Sequence, residues 1–211
     1  FAYQWLHLEA LDTTDPDLAL FPEWDESLRA SMKEELREFI GSIFHGDQNV
    51  TKLLTADYTF VNERLARHYG LQNVTGNRFR RVHLDDPNRY GLLGKAAILT
   101  VTAYPDRTSP VIRGAWLLEN IMGTPPSPPP PNVGGFPENV AGQKALTVRE
   151  LLAQHRKNPS CNACHGVMDP LGLSLENYDA IGEWRTKDRF AGEAIDASST
   201  MVSGEKMNGV I

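Results

Sequence analysis

Two hundred and eleven residues suffice for one large domain or two small ones with a real hydrophobic core. With 41% hydrophobic and 23% charged residues, the composition excludes a mainly disordered chain, a collagen-like fibre and a disulfide-dense scaffold. A net charge of −6 argues against wrapping nucleic acid by phosphate neutralisation. The longest apolar runs, such as Ala96–Leu99, fall far short of a membrane span. The chain opens at Phe1 with neither a Met nor a signal-like stretch, and reads as a processed chain or a fragment.

Gln4–Leu11 is a short aromatic-rich piece, followed by the acidic stretch Asp12–Asp17. Asp25 is suited to cap the next helix. Leu28, Met32, Leu36, Phe39, Ile40 and Ile43 then form one apolar stripe at helical spacing, with Gly46 as the stop. Tyr58–Tyr69 is expected to be a second helix, on the stripe Val61, Leu65 and Tyr69 and the pair Glu63 and Arg67, with Gly70 at its end. Gly76–Asp86 reads as a short strand or an extended loop. Leu92–Thr102 has an ambiguous period and is taken as helix.

Ser109 and Pro110 start a buried helix that Gly123 ends. Six of the 14 prolines then lie between Pro125 and Pro131. That run cannot be helix or interior strand. It is expected to be a polyproline II strap about 22 Å long, or a docking site for a proline-binding partner. Thr147 and Glu150 form a capping box for a helix over Val148–Arg156, which Pro159 closes. Asp169–Gly172 reads as a turn, Leu173–Ile181 as a last short helix, and residues 182–211 as loop-rich.

The two cysteines, Cys161 and Cys164, are the only ones, and His165 follows directly. This is the C-x-x-C-H pattern of c-type haem attachment. Thiols three residues apart on a helical turn face one way and can form thioethers with the two vinyl groups of one porphyrin. The adjacent His165 then serves as the proximal iron ligand. A thioredoxin-like pair would need a βαβ context. A zinc centre would need His155 to complete a Cys/Cys/His/His set. A disulfide across so short a loop gains little. One covalently attached haem c is therefore the cofactor expected. For the sixth position, His155, six residues before Cys161, ranks first. Met201 is the alternative and Met207 follows, at 36 and 42 residues after His165; His68 is remoter. Arg149, Arg156, Lys157 and Arg185 are available for the haem propionates, or are simply solvated charges.

Several phrases carry a resemblance. They are Tyr58–Ala66, His68–Gly70, Thr108–Gly114, the proline run, His155-Arg156, Cys161–His165, Met168–Gly172, and Leu175–Asp179 through Gly182 and Arg185. In this order they resemble the modules of unknown function that occur with planctomycete-type cytochrome c domains, in large exported bacterial proteins. The resemblance spans nearly the whole chain. It implies covalent haem at Cys161, Cys164 and His165 and an extracytoplasmic location, periplasmic or exported. It draws attention to His155 and His68, which lie inside its phrases, and implies no established activity.

The expected fold is mainly α: a helical module over 1–124, a proline- and glycine-rich connector over 125–146, and a small cytochrome c-like haem module over 147–211. The function expected is electron transfer within a larger extracytoplasmic redox assembly, with redox proteins or other subunits as partners, no nucleic acid and no transmembrane segment in this chain. A haem enzyme with an open sixth position, peroxidase- or oxygenase-like, and a scaffold with a secondary haem are the alternatives.

Overall fold

The computed structural model describes residues 1–128, 139 and 142–210. It is mainly α-helical, with two short two-stranded antiparallel sheets. Among the described residues no helix is long and apolar enough to cross a membrane. The chain forms two compact units. One comprises Phe1–Arg107 with Tyr178–Trp184, the other Thr108–Asn177 with Arg185–Val210. This partition differs from the expected one. The helix after Ser109 belongs to the second unit, and a short C-terminal segment returns to the first. The expected strap lies partly outside the described residues; Pro125, Pro126 and Pro128 are in neither helix nor strand.

In the first unit, α1 (Ala2–Trp5) and a 3₁₀ turn (Leu8–Asp12) lead to α2 (Glu26–Phe44). Asp25 caps α2, its Oδ1 accepting the Leu28 N–H at 2.6 Å. All six residues of the predicted stripe are buried. The same helix also buries Arg29 and Glu35, which the stripe did not anticipate. Arg29 is held by Asp15 at 2.8 Å and Glu26 at 3.1 Å. Glu35 accepts hydrogen bonds from the Thr59 hydroxyl at 2.5 Å and the Tyr69 hydroxyl at 2.6 Å. Burial pushes the Glu35 carboxyl up, opposed by the charge of the equally buried Lys95.

The helix expected over Tyr58–Tyr69 is a correction. After α3 (Lys52–Thr55), Tyr58–Val61 forms strand β1, and only Glu63–His68 is helical, as α4. Tyr, Thr, Phe and Val all favour an extended chain. Strand β2 (Arg80–His83) pairs with them from Tyr58 opposite His83 to Val61 opposite Arg80. Asn62 then caps α4 by accepting the Leu65 N–H at 3.0 Å. Of the helix expected over Leu92–Thr102, only Ala96–Val101 is α-helical, as α5; Leu92–Gly94 forms a separate 3₁₀ turn, with Lys95 extended between them.

The second correction is Leu173–Ile181, which is not a separate helix. Asp179 Oδ1 instead accepts the N–H groups of Ile181 at 3.0 Å and Glu183 at 2.8 Å, tightening a turn. Side-chain bonds of this kind compete with helix. The turn puts Tyr178 against Trp184 and seats the backbone of Gly182 on α5, where a Cβ would lie 2.7 Å from the Ala96 Cα. His68 Nε2 donates to the Ile181 carbonyl at 2.9 Å, and Arg89 donates to that of Gly182 at 2.7 Å.

In the second unit, α6 (Pro110–Trp116) begins at the Ser109 cap and passes into a π-helical turn over Leu117–Ile121. Helix α7 (Val148–His155) carries the predicted capping box. Pro159 closes that stretch and also opens α8 (Pro159–Leu173), capped by Asn158. The turn expected over Asp169–Gly172 therefore lies inside a helix, despite Pro170. Tertiary packing overrides the local signal. A Cβ on Gly114 would sit 2.0 Å from the Met168 carbonyl oxygen, and one on Gly172 would sit 1.7 Å from that of Pro110. The backbones of α6 and α8 thus meet with no side chain between them, and only glycine permits this. The loop-rich tail contains a hairpin, β3 (Ser198–Thr200) and β4 (Lys206–Asn208), and the Ser199 hydroxyl donates to the Pro170 carbonyl at 2.8 Å.

Candidate haem-attachment site

The first half of α8 carries the motif. At 100° per residue, Cys161, Cys164 and His165 fall within an arc of about 100° on one helix face. Both cysteines are free thiols, half-buried, while Asn162 and Ala163 between them are exposed. The thiols are therefore accessible from outside without unfolding the helix.

His165 is held more firmly. Its side chain is 16% exposed, and Nδ1 donates to Asp169 Oδ1 at 3.0 Å, one helical turn further on. An ionised carboxylate can only accept, so Nδ1 carries a proton, and in the neutral ring Nε2 is the nitrogen with a free lone pair. Asp169 is fully buried, and Arg156 Nε approaches its other oxygen at 3.7 Å. Burial pushes the Asp169 carboxyl up, and the hydrogen bond to His165, its charge and that of Arg156 pull it back. The Asp169 contact is absent from the sequence reading. The spacing His-x-x-x-Asp on one helix was the available signal.

The remaining candidates are placed as follows. His155, at the end of α7, meets His165 edge to face with ring centres 4.6 Å apart. That is closer than two opposed imidazoles on one metal, whose ring centres stand about 6 Å apart with bonds of about 2 Å. Burial, then the charge of His165, pushes the His155 ring toward its neutral form. Met201 follows β3 and Met207 lies in β4, both half-buried. His68 is buried in the first unit, hydrogen-bonded to Ile181. Arg149 donates to the Asp196 carbonyl at 2.6 Å and also to that of Ser198. Arg185 pairs with the buried Glu176, which also accepts from the Thr108 hydroxyl at 2.6 Å. Arg149 and Arg185 thus already have structural partners. Arg156, near Asp169, is the basic residue that belongs to the site.

No group of three or more His, Cys, Asp or Glu side chains among the described residues is arranged to hold a metal ion, so a four-ligand Cys/Cys/His/His centre is not assembled. The donor set fits a haem instead. It offers two thiols on one face for the porphyrin and a single imidazole with its outer nitrogen fixed for the iron.

Residues 89–188, which include the motif, match the family model PSCyt3, a protein of unknown function (DUF1588). Residues 1–71 match a second model, PSD4, a protein of unknown function (DUF1592). No curated protein and no solved structure matches the chain. The chain is thus similar, over two separate stretches, to families whose names are those of planctomycete cytochrome c-type domains.

Proposed function

We propose that this chain is a single-haem c-type cytochrome module that passes electrons within a larger extracytoplasmic assembly, periplasmic or exported. Cys161 and Cys164 would hold the porphyrin through thioethers, and His165 Nε2 would hold the iron. The observation that carries the reading is the helical face joining two free thiols to an imidazole whose Nδ1 is already engaged. The matched family names support it. Haem, when bound, supplies a one-electron iron couple whose potential follows its ligands and surroundings. The chain's own part is to fix the ring by two bonds on a rigid helix, to hold one proton on His165 Nδ1, and to keep Asp169 away from water. His155, the first candidate for the sixth position, would have to leave its 4.6 Å packing against His165 to reach it, and Met201 is the second; a Met ligand would give the higher potential.

The role is tested by spin state and carbon monoxide. A carrier with two protein ligands is low-spin in both oxidation states, and the reduced form binds carbon monoxide slowly or not at all. A high-spin ferric form with rapid, stoichiometric carbon monoxide binding would overturn the carrier reading and favour a haem enzyme with an open position.

A further inference from the structure

We propose that Asp169 is the positioning residue of the iron ligand. Its buried carboxylate takes the hydrogen bond from His165 Nδ1, thereby assigns Nε2 to the metal, and strengthens the ring as an electron donor so that the ferric state is favoured. The inference rests on the haem reading above and deepens it.

Three observations lead to it. The hydrogen bond is 3.0 Å long between residues four apart on one helix, so the backbone itself sets the geometry. Helix α8 cannot shift easily at this point, because the neighbouring Met168 carbonyl lies against Gly114 of α6 with no room for a Cβ. Finally, Asp169 is a costly residue to keep. It is fully buried, and its Oδ2 has no hydrogen-bond partner, Arg156 Nε standing off at 3.7 Å. Burying a carboxylate with one oxygen unbonded carries a desolvation cost, which the contact to His165 only partly offsets. Here the single short contact goes to the one imidazole of the C-x-x-C-H motif. Metal-binding histidines generally give their second N–H to a carboxylate or carbonyl, which fixes the tautomer and raises basicity.

The test uses the mature holoprotein and Asp169→Asn, which keeps the size of the side chain and removes its charge. Covalent haem content, midpoint potential and the His165 Nδ1–H proton resonance in the diamagnetic ferrous form are measured on each. Wild type is expected to show a strongly deshielded, slowly exchanging Nδ1–H. Asp169→Asn is expected to retain haem, lose that deshielding, and raise the ferrous-to-ferric ratio at a fixed poise about tenfold, which is 59 mV for a one-electron couple. Haem retained with an unmoved potential and an unmoved Nδ1–H would overturn the proposal. If the variant fails to mature, the wild-type Nδ1–H decides. A deshielded proton upholds the hydrogen bond on the iron ligand, and an ordinary shift with fast exchange refutes it. A wild-type chain that matures without haem would instead overturn the proposed function, and this inference with it.

Discussion

Gly172→Ala should destabilise the unit that carries the motif, although alanine is the better helix former. A Cβ at position 172 would lie 1.7 Å from the Pro110 carbonyl oxygen, and the obstacle is backbone. A tolerable carbon–oxygen approach is about 3.3 Å, so α6 and α8 must part by about 1.6 Å or the end of α8 must unwind. Overpacking of this kind costs about 3 kcal/mol or more. Helix propensity returns about 1 kcal/mol. The net loss is roughly 2–3 kcal/mol, or about 4–12 °C in melting temperature for a chain of this size. Gly166→Ala is the control on the same helix. There the nearest atom is the Asn162 side-chain oxygen at 3.4 Å, an ordinary contact, so the change should be neutral or stabilise by up to about 1 kcal/mol. Thermal melts by circular dichroism compare the two, and hydrogen exchange should localise the Gly172→Ala loss to α6 and α8. If Gly172→Ala melts at or above wild type, the backbone-to-backbone contact is not what holds α8 through Pro170.

Further outcomes are expected elsewhere. Burial pushes His68 from its ordinary value of 6.5 down to about 4, with Arg89 and Arg64 adding to the effect and the Ile181 hydrogen bond opposing it. The unfolded chain then binds a proton that the folded chain refuses. The contribution of His68 is complete above pH 6.5 and falls by up to about 3 kcal/mol as the pH drops to 4. His68→Gln should flatten that slope in urea titrations, and an unchanged slope would contradict the buried neutral ring. Glu176→Ala leaves Arg185 and Arg113 around an emptied buried site and should cost about 3 kcal/mol in chemical denaturation; a loss below about 1 kcal/mol would refute this. Thr147→Ala removes the capping box of α7 and should cost about 1 kcal/mol, with faster amide exchange in the first turn of α7.

How much of this was legible in the sequence varied with the range of the forces involved. Caps are local, and Asp25, Ser109 and Thr147 act where the sequence placed them. The stripe of α2 was equally readable. Strand β1 was not, because Tyr58–Val61 offers only four residues and its partner begins at Arg80. The persistence of α8 beyond Pro170 depends on Gly114 and Pro110, some sixty residues earlier in the chain, and no local pattern encodes it. The same holds for Tyr178–Trp184, whose turn is stabilised by His68 and Arg89. At the candidate site, Cys161, Cys164 and His165 form a local pattern, which the sequence displays and the structure places on one face of α8. Asp169 was visible as a spacing, but only its complete burial gives that spacing meaning.

The most direct test of the central claim is covalent attachment. The chain is produced through an export route with c-type haem maturation, and its absorption spectrum is taken before and after acid–acetone extraction, beside Cys161→Ala/Cys164→Ala. The account predicts that the colour stays with the wild-type protein and is extracted from, or absent in, the variant. A properly matured wild-type chain that is colourless, or whose colour is extracted by the solvent, would contradict it.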